Sequence, residues 1–315
     1  MAKLYCWITC ILYSFLSAKA QDRQVRVYQK EFSFTTENDA FLLNKADAYY
    51  TNGFFFKIAK AGENKGKKHV RLFELGQMIY TPLSRKTNSK LDIDRPFCGY
   101  LFIKLGQITF NHNGAILQYD ASVGAIGPAS FGEDVQNTYH KMLGYSRFTG
   151  WPYQIQNALG IDFHLSYAKT VFDSKNQFRL IPIGELRAGT IFTNVSLGMY
   201  TCLGQLTNNS NSALWNARVQ STKEPVTKKS ELFLFWYPQV ICQAYNATVE
   251  GGLFYNGNAA ALGVTNTWLF QQTWGACMAK GRWTTKLGIV YQTREAKAQL
   301  KVQRYGSIQF AYRMH

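Results

Sequence analysis

Long stretches of this chain alternate between apolar and polar residues. From Ala115 to Gly124, Leu117, Tyr119, Ala121 and Val123 take one face, and Gln118, Asp120, Ser122 and Gly124 take the other. From Trp283 onward, Trp283, Leu287, Ile289 and Tyr291 oppose Thr284, Lys286, Gln292 and Arg294. Ile308, Phe310 and Tyr312 oppose Ser307, Gln309 and Arg313, and Trp268, Phe270, Trp274 and Met278 line one face of a further segment. A period of two is the signature of a β-strand with unlike faces. No segment beyond the N-terminus reads as a spanning helix. The uncharged run 232–249 contains Pro238, Gln239, Gln243 and Asn246, and the run 251–279 is broken by Gly and Asn.

A soluble sandwich would alternate too. Three features point instead to an all-β fold, a transmembrane antiparallel β-barrel. The segments reach about ten residues, the length a tilted membrane strand needs. Their polar faces carry Lys, Arg, Asp and Gln, as a lumen does, and aromatics gather near segment ends as in interfacial girdles. The expected strands are 26–37, 51–60, 69–80, 97–110, 114–124, 161–172, 177–189, 191–202, 231–245, 266–280, 283–295 and 304–314, about twelve. Asn111-His112-Asn113-Gly114 and Lys280-Gly281-Arg282 read as tight turns. With both termini periplasmic, these fall on the inner side, where short turns belong. The connections 38–50, 81–96 and 125–160 then lie outside.

The first residues read as a secretory signal. Lys3 is the positive region, Leu4 to Leu16 the apolar region and Ala18-Lys19-Ala20 the cleavage site. The expected organisation is a leader over 1–20 and one barrel domain over 21–315. Cys98, Cys202, Cys242 and Cys277 remain after cleavage, without metal-ligand spacing, and read as small hydrophobes in strands. The chain carries 35 Lys and Arg against 19 Asp and Glu, net +16, which becomes +14 once Lys3 and Lys19 leave. Export argues against nucleic acid as the partner of this charge, and an anionic lipid surface suits it better.

The third outer connection is long, and long loops in compact folds are usually functional. It reads as two short helices in an extracellular loop, Glu133–Leu143 closed by Gly144 and Pro152–Leu159 closed by Gly160. Gly124, Gly127 and Gly132 let the backbone before the first helix turn tightly or approach a ligand. Gln136 and His140 lie four apart, on one helix face. His140 is a candidate base on water, and Gln136 could orient that water or hold an oxyanion. Asp39, with Asn38 and Thr51, offers oxygens to a hard cation such as Ca²⁺. Lys86 or Arg85, in the second outer connection, could hold a lipid phosphate. Each residue also has a plainer reading: an incidental loop His, an Asn-Asp turn, a ladder Thr, a bulge at Asn52-Gly53. There is no Gly-x-Ser-x-Gly elbow, and Ser122 and Ser130 lack a flanking signature for a nucleophile.

Ordered motifs over 30–165 resemble the outer-membrane lipid A 3′-O-deacylase family, the LpxR type. They are Asn38-Asp39, Tyr50-Thr51-Asn52-Gly53, Ile79-Tyr80-Thr81-Pro82 and Asp94-Arg95-Pro96-Phe97. They continue as Gly124-Ala125-Ile126-Gly127-Pro128, Val135-Gln136-Asn137, His140, Gly144, Gly150-Trp151 and Gln154-Ile155. The resemblance implies a barrel of about twelve strands in the outer membrane of a Gram-negative bacterium. It implies Ca²⁺-dependent hydrolysis of the 3′ acyloxyacyl ester of lipid A at the outer-leaflet rim, with lipopolysaccharide and outer-membrane lipids as partners and the chain read as a monomer. His140 would be the base, and Asn38, Asp39, Thr51 and Gln136 the other site residues. The family has a Lys in the second outer connection; here the spacing after Pro82 falls between Lys86 and Thr87. The acidic residue expected beside Tyr50 is displaced to Asp47. The alternatives are an outer-membrane phospholipase or other acyl-ester hydrolase, or a non-enzymatic channel or adhesion scaffold.

Overall fold

The structure is a computed structural model that describes residues 27–42, 48–64, 67–87, 89–220, 230–254 and 260–315. The leader and Asp47 lie outside the described residues. The strands are β1 (Lys30–Asn38), β2 (Tyr49–Asn64), β3 (Lys67–Thr81), β4 (Cys98–Phe110), β5 (Ala115–Ile126), β6 (Ala158–Lys169) and the short β7 (Phe172–Ser174). They continue as β8 (Phe178–Gly189), β9 (Phe192–Gln205), β10 (Glu231–Asn246), β11 (Trp268–Lys280), β12 (Trp283–Gln292) and β13 (Gln303–Met314). Every pairing is antiparallel. β1 pairs with β13, and β6 reaches past β7 to pair with β8, so twelve of the thirteen strands form a closed barrel. Closure leaves no unpaired strand edge in lipid, where an unsatisfied backbone group costs several kcal/mol.

The alternation decides which face meets lipid. Leu105, Phe163, Leu197 and Leu234 are each about 60–70% exposed on the outer wall. Trp268, Trp274, Leu287 and Ile289 lie on the same wall. So continuous an apolar surface is a membrane face. The opposite faces meet in the lumen. There Lys57 and Lys104 flank Glu74 at 2.8 and 3.1 Å, and His164 meets Asp120 at 2.8 Å. Cys98, Cys202, Cys242 and Cys277 are free thiols in strands.

Two expectations need correction, and one inner connection holds structure that the sequence did not suggest. The connection after β9 is long, and its segment 206–220 turns back into the inner end of the barrel and fills it. Glu231 anchors this segment, accepting from Thr207 Oγ1 and Ser212 Oγ, both at 2.8 Å, and from the Ala213 amide at 2.7 Å. Lys286 donates to Asn216 Oδ1 at 3.1 Å, and Arg313 to the Arg218 carbonyl at 2.9 Å, so these lumen cations bind the plug. Arg294 is not a lumen residue. β12 ends at Gln292, and Arg294 is exposed in the connection beyond it. The second loop helix is a single 3-10 turn, Trp151–Tyr153. After it the chain straightens, because the Ile155 amide donates to the Phe97 carbonyl at 2.9 Å and Ile155 is buried. β6 then begins at Ala158, placing Leu159 on the membrane face.

Candidate active site

The connections after β1, β3, β5, β10 and β12 share one rim, here called the outer rim. The one after β5 carries helix α1, Gly132–Leu143. Its entry uses the expected glycines to pass close to other backbone. Gly127 has φ 85° and packs on the backbone of Ile155 and Gln156, and Gly132 lies against Gly99 of β4. Glu133 and Asp134 occupy the first turn, where the helix dipole favours acids. Partial burial, reinforced by neighbouring Asp134 and opposed by Arg147, pushes the Glu133 carboxyl above its usual range. Gly144, at φ 75°, closes the helix with its amide on the carbonyls of the last turn.

Gln136 and His140 are both buried on the inward face of α1. The Trp151 indole N–H donates to Gln136 Oε1 at 3.0 Å. Indole only donates, so this bond fixes which end of the amide is oxygen. Gln136 Nε2 is buried and has no hydrogen-bond partner among the described residues. His140 Nδ1 lies 2.8 Å from the Ser146 carbonyl. A carbonyl only accepts, so Nδ1 carries the proton and the lone pair of the neutral ring sits on Nε2. Tyr145 and Phe148 pack against the imidazole, with centroids at 5.8 and 5.6 Å.

Phe97, Phe148, Trp151 and Ile79 form one buried apolar cluster, with Val135 of α1 against it. Ile79 belongs to β3, and its carbonyl accepts from Thr51 Oγ1 at 3.2 Å. One residue of the barrel wall thus links the helix site to β2. Thr51 stands at a bulge, since Tyr50 pairs with Tyr80 and Asn52 with Ile79. The bulge lies one residue earlier than Asn52-Gly53. Asn38 faces Asn52 across β1 and β2 and donates to its Oδ1 at 2.5 Å. Asn38 Oδ1 accepts from the Ala40 amide and Asp39 Oδ2 from the Ala48 amide, both at 2.6 Å. The plainer turn reading of Asn38-Asp39 is therefore satisfied as well.

The two basic candidates part company. The Arg85 guanidinium lies over Tyr145 and Phe148, at 5.6 and 5.8 Å, on the same rings that hold His140. Lys86 is exposed. Ser130 is buried, with its hydroxyl donating to the Gly127 carbonyl at 2.6 Å, which is a structural use.

Arg95 received no role from sequence reasoning, although its motif was noted. It is fully buried, stacks 4.0 Å over Tyr80, pairs with Glu295 at 2.7 Å and donates to Thr248 Oγ1 at 3.0 Å. Glu295 also accepts from Asn246 at 2.8 Å. Three outer connections are thereby tied around one cation. Trp151 and the Ser146 carbonyl were missed as orienting groups too. A tryptophan one residue before a proline gave no signal of its partner, and a main-chain carbonyl gives none at all.

A closed twelve-strand barrel with a lipid-facing wall and a polar cluster at one rim is an outer-membrane β-barrel. The chain belongs to the LpxR family of outer-membrane proteins, whose model matches residues 6–314. Among solved structures it is similar to LpxR from Salmonella typhimurium, with TM-score 0.73, 19% identity, and coverage of 90% of this chain and 99% of that one. It is more distantly similar to the β domain of the Bordetella autotransporter BrkA, with TM-score 0.45, 10% identity, and coverage of 90% and 96%. The translocator domain of the autotransporter NalP from Neisseria meningitidis gives TM-score 0.41, 11% identity, and coverage of 99% and 96%. No curated protein matches the chain.

Proposed function

We propose that this outer-membrane protein is a calcium-assisted ester hydrolase that removes the 3′-O-linked acyloxyacyl group of lipid A at the outer rim, acting as a single chain of one domain after loss of its leader. The observation that carries the reading is the paired orientation of Gln136 and His140. Trp151 leaves the Gln136 amide N–H as the uncommitted donor, and Ser146 leaves the His140 lone pair on Nε2.

His140 Nε2 takes a proton from water as the water oxygen bonds to the ester carbonyl carbon. The carbonyl oxygen becomes an oxyanion, and the Gln136 N–H donates to it. The bond from that carbon to the sugar oxygen breaks, and the imidazolium returns its proton there. The products are a free acyloxyacyl acid and a sugar hydroxyl. The position of His140 in the last turn of α1 favours the transient positive charge. Arg85, on the rings beside His140, is the better-placed candidate for a lipid phosphate; Lys86 is the second.

The donor set fits a hard cation. Asp39 supplies a carboxylate and Asn38 and Thr51 supply neutral oxygens, which suits Ca²⁺ of modest affinity. When bound, such a cation would stabilise negative charge developing on the ester carbonyl.

The test offers the detergent-purified protein hexa-acylated lipid A and a diacyl phospholipid side by side with Ca²⁺. Loss of one acyloxyacyl unit from lipid A alone supports the reading. Release of fatty acid from the phospholipid alone replaces it with a phospholipase, and no release from either leaves a binding or transport barrel.

A further inference from the structure

A groove lies on the outside of the barrel, away from α1. It has a volume of about 510 Å³ and opens on the wall where β10, β11 and the end of β12 meet the outer rim. Its apolar lining is Val240, Trp268 and Phe270, all membrane-facing, with Trp268 68% exposed. Asn266, Thr293 and Arg294 form its rim-side end.

The connection 293–302 above this groove is basic and rigidly held. Arg294, Lys297 and Lys301 are exposed. Its only acid, Glu295, is buried and paired with Arg95, and Asp94 of the connection after β3 accepts from the Leu300 amide at 3.3 Å beside Lys301. The Glu295 and Ala296 amides both donate to Gln299 Oε1 at 2.8 Å. The Lys297 amide donates to the Val264 carbonyl, and the Asn266 amide to the Glu295 carbonyl, each at 2.8 Å. An apolar slot at the membrane surface with Arg294 in its lining, and with Lys297 and Lys301 exposed on the same loop, complements a molecule with an acyl chain and an anionic phosphate headgroup.

We infer that this groove is an accessory site for an anionic membrane lipid, separate from the α1 site and independent of the hydrolase reading. The acyl chain lies along Val240, Trp268 and Phe270, and the phosphate is met by Arg294, Lys297 and Lys301. Each cation at a lipid surface contributes about fivefold to affinity.

The test places the purified barrel in phosphatidylcholine vesicles with a minor fraction of acyl-brominated phosphatidylglycerol or acyl-brominated phosphatidylcholine. Quenching of Trp268 is read as the difference between wild type and Trp268→Phe. The inference expects several-fold stronger quenching by the anionic lipid, abolished in Arg294→Gln/Lys297→Gln/Lys301→Gln. That triple variant alters only exposed side chains and leaves Glu295 and Gln299 in place; heat-modifiable gel mobility verifies its fold. Equal quenching by the two lipids in wild type, or a preference that survives in the folded triple variant, overturns the inference.

Discussion

The Trp151 indole donates to Gln136 Oε1 at 3.0 Å, with both side chains buried. This bond turns a symmetric-looking amide into a directed donor. Trp151→Phe keeps a ring against Phe97, removes the donor and leaves a small cavity where the rest of the indole lay. The buried amide oxygen then loses its partner, at about 1–3 kcal/mol of stability. The amide is also free to flip, so kcat falls about tenfold or more while KM changes little. An unchanged kcat in a folded Trp151→Phe barrel would remove Gln136 from the reaction.

The basic residues make a sharper comparison. Arg85 lies on the rings that hold His140, whereas Lys86 is exposed. Arg85→Ala therefore raises KM for lipid A about tenfold or more, the scale of one charge-assisted phosphate contact. Lys86→Ala changes it less than threefold, within the range of an exposed charge. Steady-state kinetics on the two variants check this, and the opposite order would assign the phosphate to Lys86.

Calcium dependence should rest on one carboxylate. EDTA abolishes activity and Ca²⁺ restores it. Asp39→Asn raises the Ca²⁺ concentration for half-maximal activity by at least tenfold, because it removes the only charge among the three expected ligands. Titration of activity with Ca²⁺ measures the shift. Full EDTA resistance of the wild type would exclude a cation from the reaction.

Arg95 predicts a stability effect without chemistry. Arg95→Met leaves Glu295 buried beside Asn246 with its cation gone, a loss of about 3–5 kcal/mol. The outer connections loosen first, since Arg95 joins those after β3, β10 and β12. Proteolysis confined to the outer connections, with the barrel core resistant, is the expected pattern.

The barrel was legible because membrane burial imposes its rule on every residue of a strand. Leu117, Tyr119 and Val123 meet lipid, and Gln118 and Asp120 do not. The inner plug was not legible. Segment 206–220 fills a lumen through Glu231 and Lys286, residues far along the chain that announce nothing locally. Helix α1 could be read from its spacing and Gly144. The helix expected over Pro152–Leu159 failed because Ile155 is captured by the Phe97 carbonyl, a contact that exists only once β4 is in place. At the site, residue types and order were readable, but the orienting bonds from Trp151 and to Ser146 were not.

The central claim is that His140 is the base for hydrolysis of the lipid A ester. The most direct measurement is the mass spectrum of hexa-acylated lipid A after incubation with wild type and with His140→Ala, both verified as folded and both supplied with Ca²⁺. The account predicts loss of one acyloxyacyl unit with wild type and a rate at least a hundredfold lower with His140→Ala, the scale of general-base catalysis. Equal deacylation by the two proteins would contradict it.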